Sequence, residues 1–325
     1  MGSTSGPHEQ WHPAVLQADA PAIDGFHDVL ANLLGAIRAN WQPTIADTDP
    51  EFLHELRVAL RRTRSVLQLG KGVLSAPLRD TFGSQFGWLA GLTGPTRDLD
   101  AYLLDWDSSL SGLDDDVVEA LAVVHDHLRR ERAATFSVLR TALESHHAGA
   151  LIADWSDELW ASPRQFRACA GADAEHVLGD VIAARLRRTH HAVVRGGRSI
   201  SSHSPSADLH DLRKDAKRLR YLVECFAGLF PAKPLKTYVR TLKGLQDTLG
   251  EHQDAVVHAA MLRDLLDDAP PEDATLPSHA IELAIAALEL RQGTTRHDFA
   301  ERFDDFDSDA TRALVHTMRA AITPS

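Results

Sequence analysis

An eleven-residue pattern, written twice, sets the terms for this chain. Residues 54–64 read His-Glu-Leu-Arg-Val-Ala-Leu-Arg-Arg-Thr-Arg, and residues 210–220 read His-Asp-Leu-Arg-Lys-Asp-Ala-Lys-Arg-Leu-Arg. At helical spacing His54, Arg57, Arg61 and Arg64 fall on one face, as do His210, Arg213, Lys217 and Arg220. Leu53, Leu56, Leu60 and Leu67 form the neighbouring apolar seam. Leu209, Leu212, Ala216, Leu219 and Val223 form it in the second copy. Each basic row thus flanks a buried seam instead of lying opposite it.

The offset of 156 extends well beyond the two rows. Phe26 maps to Ile182, Leu30 to Leu186, Leu89 to Leu245, Gly94 to Gly250 and Asp98 to Asp254. A gapless register of this length predicts two similarly built helical units that face each other. No alternating β pattern and no strand–helix–strand rhythm interrupts it. The fold class is therefore all-α, built as two similar, pseudo-symmetric helical bundles. The boundaries follow from breakers and polar runs: a flexible tail at 1–20, a first bundle at 21–163, a linker at 164–172 and a second bundle at 173–325.

Within this frame, helices are expected at about 22–40, from Pro50 to Gly70, from Pro77 to Gly94, from Arg97 to Trp106, at 115–147 and at 149–161. The second half is expected to hold helices at 173–195, 206–229, 232–249, 250–268, 278–292 and 308–322. No run is long and apolar enough for a membrane span. The N-terminus lacks the pattern of a signal peptide. The two cysteines, Cys169 and Cys225, lie far apart and fit a reducing cytoplasm.

A net charge of −12 argues against an anionic partner until its distribution is considered. Nine of the 34 Lys/Arg residues sit in the two eleven-residue windows with only three acids, giving +6 there and −18 elsewhere. Cationic charge is thus focused on an acidic body. Of those 34 residues 28 are arginine, whose planar fork suits bidentate phosphate contacts. Solvated charged faces normally interleave acids at i±3 or i±4. Here Arg57 and Arg61 stack on each other, as do Arg213 and Lys217, each like-charge pair costing about 0.2–0.5 kcal/mol.

The pattern His-x-Leu-Arg-x-x-x-Arg/Lys-Arg-x-Arg, twice, each followed by a Gly-x-x-x-Asp element, resembles the CHAD (conserved histidine α-helical domain) family over residues 20–305. The resemblance implies paired four-helix bundles and a basic cleft that binds inorganic polyphosphate. Some members carry a CYTH-type triphosphatase domain; no Glu-x-Glu-x-Lys motif of that kind occurs here. Rows of arginine about 5–6 Å apart suit successive phosphates of a linear polyanion. Tyr221 is the one aromatic beside the rows, which weighs against base stacking and therefore against nucleic acid.

The candidate polyphosphate-binding residues are His54, Arg57, Arg61, Arg62, Arg64, Arg97, Arg185, Arg188, His210, Arg213, Lys214, Lys217, Arg218, Arg220, Tyr221 and Lys243. Arg97 maps to Gln253 and Lys243 to Gly87, so the halves are unequal there. Asp98 and Asp254 read either as favourable acids in a first helical turn or as carboxylates that orient row arginines. His54 and His210 read either as packed histidines or as phosphate donors. The latter role predicts tighter binding as pH falls through about 6.5.

No cofactor is expected. Metal-ligand spacing on one helical face occurs at His8 and His12, inside the expected tail, and no metal site is assigned. No nucleophile–base pair, Gly-rich phosphate loop or dedicated carboxylate pair is found. The expected role is thus non-catalytic binding of inorganic polyphosphate in the cytoplasm, at polyphosphate granules, alongside proteins of polyphosphate metabolism. An enzyme or enzyme accessory acting on phosphate chains is the alternative, followed by a nucleic-acid binder.

Overall fold

A computed structural model describes residues 13–160, 166–167, 170–201, 203–267 and 277–323. Thirteen α-helices run through the described residues, numbered here in chain order. They are α1 (Ala22–Ala46), α2 (Pro50–Leu69), α3 (Ala76–Leu92), α4 (Gly94–Leu104), α5 (Trp106–Ser109), α6 (Asp115–Ala120) and α7 (Ala122–Leu143). They continue with α8 (His146–Trp160), α9 (Leu178–Arg198), α10 (Ser206–Cys225), α11 (Ala232–Asp267), α12 (Ser278–Phe306) and α13 (Asp309–Ala320). Among the described residues extended pairing is limited to isolated bridges, so the chain is all-α.

Local chemistry explains the helix ends that matter for the site. The Asp49 carboxylate accepts from the Glu51 backbone N–H at 2.8 Å, and Pro50 opens α2 with its φ already helical. Ser75 caps α3 through the N–H of Leu78. Asp47 stands in the left-handed region at φ 51° and turns the chain out of α1. The starts of α1, α2, α3 and α7 recur 156 residues later as those of α9, α10, α11 and α12.

The register breaks in two instructive places. In the first half Pro95 removes an amide donor, and the chain divides into α3 and α4. The second half has Glu251 at that position, and α11 runs unbroken for 36 residues through Gly250, where two helices were expected. The expected helix at 115–147 is instead α6 and α7, parted at Leu121. Helix α12 continues past the expected end at 292 to Phe306.

The apolar seams are buried as their spacing requires. Leu53, Leu56, Leu60 and Leu67 of α2, and Leu209, Leu212, Ala216, Leu219 and Val223 of α10, are all buried. Each large aliphatic side chain so buried stabilises the fold by about 1.5–3 kcal/mol. The seams meet directly, because α2 packs against α10. Phe26 and Phe226, from opposite halves, meet with ring centroids 5.1 Å apart and planes tilted by 57° in the same core.

A second core joins Leu99, Tyr102 and Trp106 to Ala255, Ala259 and Ile281. There Tyr102 stacks on His258 at 3.8 Å. Both cores draw on both halves of the sequence, so neither is confined to one side of the expected linker at 164–172, part of which lies outside the described residues. Of the expected tail, residues 1–12 lie outside the described residues, while Ala14, Leu16 and Ala18 pack on the main core. The carbonyls of Ala18 and Ala20 accept from Gly179 and Leu178, at 2.8 and 2.9 Å. Residues 14–20 are therefore held to the body by apolar burial and by hydrogen bonds to the start of α9.

Candidate functional site

The seam that buries the leucines of α2 and α10 also decides where their basic rows go. Across the two helices Tyr221 acts on Arg57, Arg57 and Arg61 act on Lys217, and Arg61 acts on Arg213. The helices therefore turn their rows to a common side. His54, Arg57, Arg61, Arg97, Arg213 and Lys217 form one mutually repelling cluster there.

Two carboxylates edge the cluster at equivalent positions. Asp98 lies 3.7 Å from Arg57 and Asp254 lies 3.6 Å from Arg213. Neither is the N-cap of its helix, and each lies within ion-pair distance of its arginine. Arg57 is held further by Nη1, which donates to the Ala90 carbonyl at 3.2 Å and to Thr93 Oγ1 at 3.1 Å. Three glycines face the guanidinium groups at ordinary contact distance. A Cβ would stand 3.4 Å from Arg57 at Gly94, 3.9 Å from Arg213 at Gly250 and 3.5 Å from Arg64 at Gly87.

The cluster is desolvated and short of acceptors. Arg64 Nε, Arg97 Nη1 and Arg213 Nε are buried without a hydrogen-bond partner, and a buried donor left unpaired costs about 1–3 kcal/mol. Burial, reinforced by Arg213 and Arg61, pulls the Lys217 ammonium down to about 7. Burial and then Arg61 bring Arg57 down to about 10, where it still carries its charge at neutral pH. Burial likewise lowers Arg213 and raises Asp254. For His54 burial, and then Arg97, depress the imidazole below its ordinary value. Its titration thus moves to more acid pH than 6.5, while Lys217 is brought to titrate near neutrality. His210 hydrogen-bonds Gln253 Oε1 through Nδ1 at 2.7 Å.

The remaining predicted residues divide by neighbour. Lys214, Arg218 and Lys243 pair on their own helices with Asp211, Asp215 and Asp247. Arg62 and Arg220 both reach Glu224, at 2.7 and 2.5 Å, a cross-helix clasp between α2 and α10. Arg185 and Arg188 sit on α9 beside a different cavity, which Arg218 also lines. Three contributors went unnoticed in sequence: Thr93 on Arg57, Gln253 on His210, and Gln246, which accepts from Arg220 at 3.3 Å. Thr93 maps to Leu249 and Gln246 to Ala90, so the repeat holds no signal for them. Spacing also missed Glu51, His54 and Glu55, whose ligand atoms lie within 4.8 Å of one another and can hold a cation. The His8/His12 pair lies outside the described residues.

The family model for the CHAD domain matches residues 28–263. The chain belongs to the CHAD domain family. A crystal structure of the CHAD domain from the plant Ricinus communis superposes with a TM-score of 0.76 at 25% identity, covering 98% of this chain and 99% of that one. The PptA structure from Streptomyces chartreusis shares the fold, with a TM-score of 0.64 at 18% identity over 88% of this CHAD chain and all of PptA. Two uncharacterized Mycobacterium tuberculosis proteins, MT2285 and Rv2226, are each 26% identical over 319 residues. That alignment takes in 93% of this chain and 55% of each relative, so the chain spans about half the length of the curated relatives it matches. No described helix is long and apolar enough to cross a membrane.

Proposed function

We propose that the cleft holds inorganic polyphosphate without cleaving it, and that the protein thereby attaches to or organises polyphosphate granules in the cytoplasm, alongside proteins of polyphosphate metabolism. The observation that carries this reading is the cluster of part-buried, mutually repelling cations along α2 and α10. A row of anionic oxygens relieves the repulsion around Lys217. Family membership supports the same ligand class. The cluster offers one aromatic neighbour, Tyr221, which favours a polymer without bases over RNA or DNA.

The test is a variant with Arg57, Arg61, Arg213 and Lys217 all changed to Ala, titrated with long-chain polyphosphate. The expected result is a loss of affinity of at least about 100-fold. The slope of log K against log salt should also fall by about one for each removed contact. Unchanged affinity would overturn the reading.

The alternative, an enzyme acting on phosphate chains, draws on Glu51, His54 and Glu55, which can place a divalent ion at the head of the first row. Phosphate release from tripolyphosphate with Mg²⁺ or Mn²⁺ decides between them: release above background, lost in the Glu51→Gln variant, selects catalysis.

A further inference from the structure

Arg185, Arg188 and Arg218 are not members of the cleft cluster, and what they line is a built cavity of its own. It has a volume of about 1250 Å³ and lies between the end of α2, the start of α3 and the outer face of α9. Arg218 follows Lys217 by one position, which rotates it about 100° around α10 and away from the cleft.

One wall of this cavity is made for an anion. Arg185 is only 8% exposed, and its Nη2 donates to the Lys71 carbonyl at 2.8 Å. Its Nε is buried and has no hydrogen-bond partner. Burial, then Arg188, lowers its affinity for its proton, and Asp173 works in the opposite sense. Arg79 and Arg188 line the same space, and Arg79 donates through Nε to the Leu74 carbonyl at 3.4 Å.

The opposite walls have different chemistry. Leu69, Val177 and Val181 give an apolar surface, while Asp173 and Asp180 supply acceptors. A bare polyphosphate chain has no use for either. The volume is ample for a small organic ligand, whose sites typically span about 300–1,000 Å³.

We propose that this cavity is a second ligand site, separate from the cleft, for a phosphorylated nucleoside. Its phosphates lie between Arg79, Arg185 and Arg188. Its ring lies on Leu69, Val177 and Val181, and its hydroxyl or amino donors meet Asp173 and Asp180. The site gives a polymer-binding scaffold a sensor for nucleotide.

Calorimetric titration with ADP tests this, using Arg188→Glu, Ala184→Trp and Lys217→Met proteins whose circular dichroism matches wild type. Ala184 is an exposed residue of the cavity rim, so its replacement by tryptophan fills the space without changing charge. Wild type is expected to bind ADP saturably, and both cavity variants to weaken it at least about tenfold, or 1.4 kcal/mol. Lys217→Met should bind ADP within about twofold of wild type while losing affinity for long-chain polyphosphate. Pyrophosphate and adenosine should each bind at least about tenfold more weakly than ADP. Absence of saturable ADP binding up to about 1 mM overturns the proposal. So does ADP binding that survives both cavity changes but not Lys217→Met, or pyrophosphate that binds as tightly as ADP.

Discussion

A lysine ammonium set among Arg57, Arg61 and Arg213 holds its proton weakly, and Lys217 does so at about 7, chiefly because it is buried. A polyanion laid against it reverses that balance, so binding above neutral pH draws a proton from solution. Affinity for polyphosphate should therefore fall as pH rises from about 6 to 8, as the free lysine loses its charge across about 7. Calorimetry in buffers of different ionisation enthalpy should show net proton uptake at pH 8. Lys217→Arg should flatten the profile, since arginine stays charged throughout. An unchanged profile in that variant would assign the dependence to another group. The stability sign is opposite to that of a paired lysine. Folding depresses this pKa from 10.5, so its destabilising effect is full below 7 and fades as pH rises toward 10.5. At this scale the sequence was most legible on the α2 and α10 faces, where spacing alone set Arg57 with Arg61 and Arg213 with Lys217, though not the two pairs beside each other. It was least legible for Arg185, because charge counting records neither the carbonyl of Lys71 nor which side of α9 is covered.

Helix packing explains why some glycines are fixed and others free. In α11, Gly250 is interior to a long helix, and an added Cβ would stand 3.9 Å from Arg213 Nη2, an ordinary contact. Gly250→Ala should raise stability by about 0.5–1 kcal/mol through helix propensity. Gly179, at the start of α9, is the opposite case, since a Cβ there would fall 1.8 Å from the Ile322 carbonyl oxygen. Gly179→Ala should therefore lower the melting temperature, because backbone cannot move aside as a side chain can. Thermal melts of the two proteins check both signs. Proline and cap residues made the starts of α2 and α3 readable. The continuity of α11 was hidden because Gly250 resembles the stop that Gly94 and Pro95 supply in the first half.

On the scale of the whole molecule, the repeat describes how the helices are written but not how they share their burial. Helices α4 to α7 reach across to α11 and α12 to build the second core, and Arg291 meets Asp105 at 3.2 Å along the same seam. Residues 1–163 or 164–325 expressed alone should therefore be unfolded or aggregated, each leaving half of two cores in water. The intact chain should unfold in one transition. Circular dichroism of the fragments is the check, and a cooperative melt from either would count against shared cores. The repeated row on α2 and α10 has its own consequence. Each copy leads with a histidine, but Arg97 stands beside His54 while Gln253 holds His210, so the two ends of the cluster differ in charge. A chain of identical phosphates, held as proposed, would read the same from both ends and yet be gripped more firmly at the Arg97 end.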